Sequence, residues 1–137
     1  MSELLHVSFN DSLPSVLTPR QPDGSELVSD KVEDLPDRVS FAPTIRQCLL
    51  AIEPNIRSII KQSIRYGGFS IWLYRGLPDK KTKFIPDELV KKKVSDAHLT
   101  GEVCVTTPIR IERVGEVFVK TKMVGGKPTI IDSQLKE

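Results

Sequence analysis

Histidine, cysteine and tryptophan are almost missing from this chain, and their scarcity bounds its chemistry. Two His, two Cys and one Trp stand among 137 residues. A structural zinc ion takes four ligands from a small region. His6, Cys48, His98 and Cys104 are scattered without that spacing, so no metal is expected. No Cys-x-x-Cys occurs, and two distant cysteines read as free buried thiols. The glycine patterns that cradle phosphates are absent, and no carboxylate pair has a spacing that suggests acid/base work. Asp96, His98 and Cys104 lie within nine residues, a set that in the right geometry lowers a thiol pKa. Closeness in sequence is not triad geometry, and Cys104 alternates with Glu102 and Thr106 as a small strand residue. The chain therefore reads as no enzyme and as holding no cofactor.

Long apolar runs are lacking too. Every apolar stretch falls far below the ~20 residues that span a bilayer, so no transmembrane segment is expected. Met1–Asn10 has neither the basic start nor the apolar centre of a secretory signal. Composition is 39% hydrophobic and 28% charged, which points to a soluble, non-secreted, cytoplasmic protein.

What the chain does have is divided charge. Residues 1–38 carry eight acidic and three basic side chains, a balance of −5, while residues 39–137 carry 17 basic and 10 acidic, a balance of +7. This divides the chain into an acidic N-terminal strand plus mobile Pro-rich arm, 1–38, and a basic α+β domain, 39–137. Such asymmetry points to an anionic partner for the body or to masking of the body by the arm.

In the first part, Leu5, Val7 and Phe9 alternate with Leu4, His6 and Ser8 as a short strand. Residues 11–37 hold Pro14, Pro19, Pro22 and Pro36, with only Leu27, Val28 and Val32 to pin the middle. That is too little apolar surface to offset the ordering entropy, so a mobile loop is expected.

The body opens with Ile45, Leu49, Ile52, Ile56, Ile59 and Ser63 at helical spacing, widened by Ile60 and Ile64. Pro54 should kink or divide this helix, and Gly67-Gly68 should end it. Phe69–Arg75 is apolar on both alternating sets, the mark of a strand buried on both faces. Gly76–Asp79 reads as a turn, and Pro86-Asp87-Glu88 as the start of a short second helix ending at Lys91, Lys92 and Lys93. The remainder reads as a meander of strands over 102–107, 108–113, 116–124 and 129–133. A loop at 114–116 would put Ile109, Ile111, Val117 and Val119 on one apolar face. That register sets Arg110 opposite Lys120, with Lys122 next along, Phe118 beside them and Glu112 opposite Phe118. The expected fold is α+β: an antiparallel sheet of about five or six strands covered by one kinked or split amphipathic helix and a short second one.

Two functional classes follow. The first is a self-associating structural or interaction protein, a homo-oligomer in which the acidic arm of one copy meets the basic body of another. The second is a small nucleic-acid-binding protein that contacts RNA or another anionic surface through Lys80, Lys81, Lys83, Lys91, Lys92, Lys93, Arg110, Lys120 and Lys122, with Trp72, Tyr74 and Phe118 as stacking or interface groups.

The order of elements, an N-terminal strand, a Pro-rich loop, a helix, the strand Phe69-Ser-Ile-Trp-Leu-Tyr-Arg-Gly76 and then a sheet, resembles the small matrix proteins of negative-strand RNA viruses. Tyr74-Arg-Gly-Leu77 is also similar to the Tyr-x-x-Leu pattern that some viruses use as a late-budding signal. The resemblance implies self-association, contact with an anionic membrane surface and ribonucleoprotein, and a place in host cytoplasm or virion. The acidic N-terminus departs from the lysine-rich start of rhabdovirus matrix proteins, and no Pro-Pro-x-Tyr is present.

Overall fold

The computed structural model describes residues 3–20, 37–86, 88 and 101–136. The fold is α+β, an antiparallel sheet of five strands with two short helices. In chain order the elements are β1 (Leu5–Ser8), β2 (Val16–Leu17), β3 (Val39–Phe41), α1 (Ile45–Ile52), α2 (Arg57–Ser63), β4 (Gly68–Leu77), β5 (Val103–Val105), β6 (Ile109–Val124) and β7 (Lys127–Leu135). The main sheet runs β1-β4-β6-β2 with β7 also on β6, and β3 and β5 form a separate two-stranded ribbon.

Thr44 caps α1. Its hydroxyl accepts from the Gln47 amide at 3.1 Å, satisfying one donor that the helix start leaves open, and donates to Gln47 Oε1 at 2.9 Å. Pro54 splits the helix as expected, through a 3-10 turn over Glu53–Asn55. The break also resets the helical phase. Ile56 and Ile60 are buried and Ile60 is only 1% exposed, whereas Ile59, placed in the apolar stripe by its spacing, is 36% exposed. Where α2 meets the sheet, the Ser63 hydroxyl donates to the Ile60 carbonyl, and it shares a 2.7 Å hydrogen bond with Thr121 of β6. Gly67 closes the helical segment at φ 81°, the left-handed cap that glycine adopts without a Cβ penalty.

β4 lies between β1 and β6, and around Leu73 and Tyr74 it is covered on both faces. Ile71 and Leu73 join Leu5, Val7, Val117, Val119, Cys48 and Leu49 in a core beneath α1. Tyr74, on the opposite face, joins Leu4, Val39, Phe41, Val105, Ile109 and Ile111 in a second core beneath the β3–β5 ribbon.

Three expectations are corrected. The hairpin at 114–116 does not exist, because β6 runs unbroken from Ile109 to Val124 along β4. Leu73 pairs with Gly115 and Tyr74 with Arg113, which leaves Val114 as the extra residue of a β-bulge. One inserted residue reverses the facing of everything beyond it. Ile109 and Ile111 thus reach the second core while Val117 and Val119 reach the first, although all four are odd-numbered. Second, Arg110 does not oppose Lys120. Arg110 pairs with Val16 and Leu77, and Lys120 with Gly68 and Asp132. Glu112 opposes Arg75, whose Nη1 donates to its Oε1 at 3.1 Å, and not Phe118. The 102–107 stretch likewise gives β5, which pairs with the distant β3 and not with the next strand.

Third, part of the expected arm is docked. Val16–Leu17 pairs with Arg110 and Ile109 of β6, and Leu13 and Leu17 pack on the second core. Leu27, Val28 and Val32 lie outside the described residues. So do most of the expected second helix and Lys91, Lys92 and Lys93.

Candidate interaction surfaces

The cations and aromatics singled out from the sequence do not form one site. β4 runs from Gly68, beside Lys120, to Leu77, beside Arg110, roughly 30 Å at strand rise. Lys80, Lys81 and Lys83 are exposed just beyond its Leu77 end. There Asp79 and Thr82 tie the turn, with the Lys81 amide donating to Asp79 Oδ1 at 2.8 Å. Arg110 belongs to that end. Trp72, Phe118, Lys120 and Lys122 belong to the other.

Tyr74 serves neither end as a stacking group. It is 2% exposed, its hydroxyl donates to the Asn10 carbonyl at 2.7 Å and accepts from the Leu13 amide at 3.3 Å, and it ties the docked part of the arm to the sheet. The stacking role read for it from the sequence is withdrawn, since a buried ring has no face to offer.

At the Gly68 end, the face opposite α1 carries no described element. Trp72 pairs with Glu116, and Ser70 with Phe118, so Trp72 and Phe118 are diagonal neighbours on adjacent strands of that face. Lys120, Lys122, Gln134 and Asp132 continue it, since each strand partner shares its neighbour's face. Two groups that sequence reading missed complete it. The Arg113 guanidinium lies over the Trp72 ring at 4.9 Å, while its Nη1 donates to the Asp11 carbonyl at 2.6 Å. Lys136 Nζ donates to Glu116 Oε1 at 2.6 Å and to Ser70 Oγ at 3.0 Å. No local pattern marks either residue, because both contacts depend on strand register.

A second surface lies along β7. Among the described residues its outer edge has no strand partner. Lys127 and Pro128 blunt the first two positions, since a charge and a missing N–H discourage edge pairing, and Asp132 puts one further charge in the middle, while the rest of Thr129–Leu135 is uncharged. A second irregularity, between Lys120 and Thr121, leaves Ile131 without a Cα partner. Ile131 is 49% exposed, Leu135 38% and Leu50 of α1 38%. Between α1 and β7 is a cavity of about 230 Å³, lined by Leu49, Leu50, Ile130 and Ile131 with the charged Arg46, Glu53 and Asp132. Here a sequence signal existed: Leu50 is an apolar residue on the otherwise wet face of the helix, between Arg46 and Glu53.

The thiols are not positioned for chemistry. Burial pushes Cys48 up to about 12, and burial together with the Glu102 carboxylate pushes Cys104 up to about 12. A nucleophilic cysteine needs the opposite shift. Asp96 and His98 lie outside the described residues, and these residues contain no cluster of potential metal ligands. A folded-state thiol pKa above the ordinary 9.0 favours the native state below that pH, and the advantage is lost as pH rises from 9.0 toward 12. Native protein at neutral pH should therefore react with a thiol reagent only after urea unfolding. Urea titrations should show stability falling above pH 9, and falling less in a Cys48→Ala/Cys104→Ala variant.

Compared with known proteins, the chain matches no family model, no curated protein and no solved structure. Among the described residues no helix is long and apolar enough to cross a membrane.

Proposed function

We propose that this chain is a non-enzymatic structural protein that works by self-association, copies joining through the β7 edge and the α1 groove beside it. The observation that carries this reading is the pairing of an open strand edge with apolar side chains on the same border: among the described residues β7 has no outer partner, and Ile131, Leu135 and Leu50 are exposed where an added strand would lie. An open edge is a template for strand addition. The groove is also self-complementary. Arg46 and Glu53 bracket Leu49 and Leu50 on α1, so a second copy related by a two-fold axis brings its Glu53 to Arg46 and its Arg46 to Glu53, with leucines between. A matrix-like role in cytoplasm or virion is the form of self-association that the order of elements supports. The raised pKa of both thiols speaks against nucleophilic catalysis by Cys48 or Cys104.

Light-scattering mass measured against protein concentration tests this. Leu50→Arg/Ile131→Arg changes two exposed side chains, so it should fold as the wild type does while associating about 30-fold or more weakly, the effect of removing one interface hot spot of ~2 kcal/mol. Association should survive high salt, because its contacts are mainly apolar. Loss at high salt with no effect of the double variant would point instead to the acidic arm of one copy meeting the basic body of another.

A further inference from the structure

We infer that the uncovered face at the Gly68 end of the sheet binds single-stranded nucleic acid, with bases stacking on Phe118 and on the Arg113–Trp72 pair and phosphates meeting Lys120 and Lys122. This goes beyond self-association and uses a different surface.

The aromatic spacing gives the first argument. Phe118 packs into neither hydrophobic core, and Trp72 touches only the margin of the second. Diagonal neighbours on adjacent strands sit ~7–8 Å apart, about twice the ~3.4 Å rise between stacked bases of a duplex. Two such platforms suit bases splayed apart in a single strand and not the closed stack of a double helix.

The second argument is the state of Arg113. Held at one end by the Asp11 carbonyl and lying over the Trp72 ring, the guanidinium is an exposed plane in a fixed orientation. Bases stack on guanidinium planes as they do on aromatic rings, and the positive charge adds cation–π attraction and draws the phosphate backbone.

Charge supplies the third. Arg113, Lys120, Lys122 and Lys136 face two carboxylates, Glu116 and Asp132. Lys136 already binds Glu116, so that carboxylate is offset. Lys120 and Lys122, both exposed and two residues apart on one strand face, track a backbone beside the stacking groups.

Trp72 is the only tryptophan in the chain, so its fluorescence reports binding at the Arg113–Trp72 pair. Titration of the full chain with oligo-uridine should quench that emission. Phe118→Ser should weaken binding about ten-fold or more, the stacking worth of one base, whereas Phe118→Tyr should retain it. The Tyr variant and thermal unfolding of both show whether loss reflects binding and not misfolding. Lys120→Ser/Lys122→Ser should reduce the slope of log affinity against log salt by about 1.4, which is ~0.7 for each single-strand phosphate that a lysine no longer neutralises. Repeating the titration in Leu50→Arg/Ile131→Arg separates this face from self-association, since quenching should persist there.

Three results would overturn the inference. One is oligo-uridine binding without any change in Trp72 emission. Another is heparin binding as tightly as oligo-uridine with Phe118→Ser indifferent to both, which is polyanion attraction alone. The last is binding to anionic lipid vesicles with none to oligo-uridine, which assigns the face to a membrane surface.

Discussion

Gly68→Ala is expected to destabilise the protein by roughly 4 kcal/mol or more, among the largest effects a single substitution produces. Gly68 opens β4 at φ +149°, a value that side chains disfavour, and it is buried against β6. A methyl group there would overlap the Val119 carbonyl oxygen and come within 2.9 Å of Phe118 Cζ. The first of these obstacles is backbone in the centre of the sheet, so relief requires β4 and β6 to separate where they pair. Gly67, one residue earlier, is the natural control. Its φ of +81° is also positive, but nothing lies within 4 Å of an added Cβ. Gly67→Ala should therefore cost only the left-handed penalty of ~1–2 kcal/mol. Urea unfolding of both variants checks the contrast. Equal costs would mean that backbone conformation alone, and not the close approach of β4 to β6, makes glycine necessary at 68.

The same glycines show which parts of this fold are written locally. Gly67 as a helix stop, Pro54 as a helix break and Gly125-Gly126 as a hairpin each act through their own backbone, and each appears where the sequence indicates. Both hairpin glycines have positive φ, as a tight two-residue connection demands. Gly115 is different. A glycine between two alternating apolar runs is consistent with a turn and with a bulge, and only the partner strand decides. β4, at ten residues, is long enough to pair with both halves of β6, so the chain continues straight. Every error about the basic face follows from that one choice. Only a hairpin that does not form would set Arg110 opposite Lys120, and the apparent like-charge conflict vanishes with it.

Non-local pairing explains the other gaps. Val16–Leu17 is two residues long, and no periodicity can be read from two residues; its place is set by Ile109 and Arg110, more than ninety positions away. The β3–β5 ribbon joins two three-residue strands separated by more than sixty positions. At the candidate sites, residue types are legible in the sequence and their grouping is not. Trp72, Phe118, Lys120 and Lys122 stand out as chemical groups, but their shared face and the addition of Arg113 depend on the register between β4 and β6.

Leu73→Ala is expected to cost ~2–5 kcal/mol, the range for a buried leucine whose neighbours collapse only partly into the space. Leu73 is 3% exposed in the core beneath α1, packed with Val7, Ile71 and Val117. The size of this effect tests burial, and its combinations test which residues share a core. Ile109 lies in the other core, across the sheet, because Val114 reverses the facing of β6. A Leu73→Ala/Ile109→Ala variant should therefore lose the sum of the two single costs to within ~0.5 kcal/mol, as separate sites do. Leu73→Ala/Val117→Ala places both truncations in one core, where the second cavity borders the first, and should depart from additivity by ~0.5 kcal/mol or more. Gly115 is the residue opposite Leu73, and Ile109 lies six positions further along β6, about 20 Å at strand rise, so distance as well as facing separates the first pair. Urea unfolding of the three single and two double variants thus measures, in free energy, whether Leu73 and Val117 share a core that Ile109 does not.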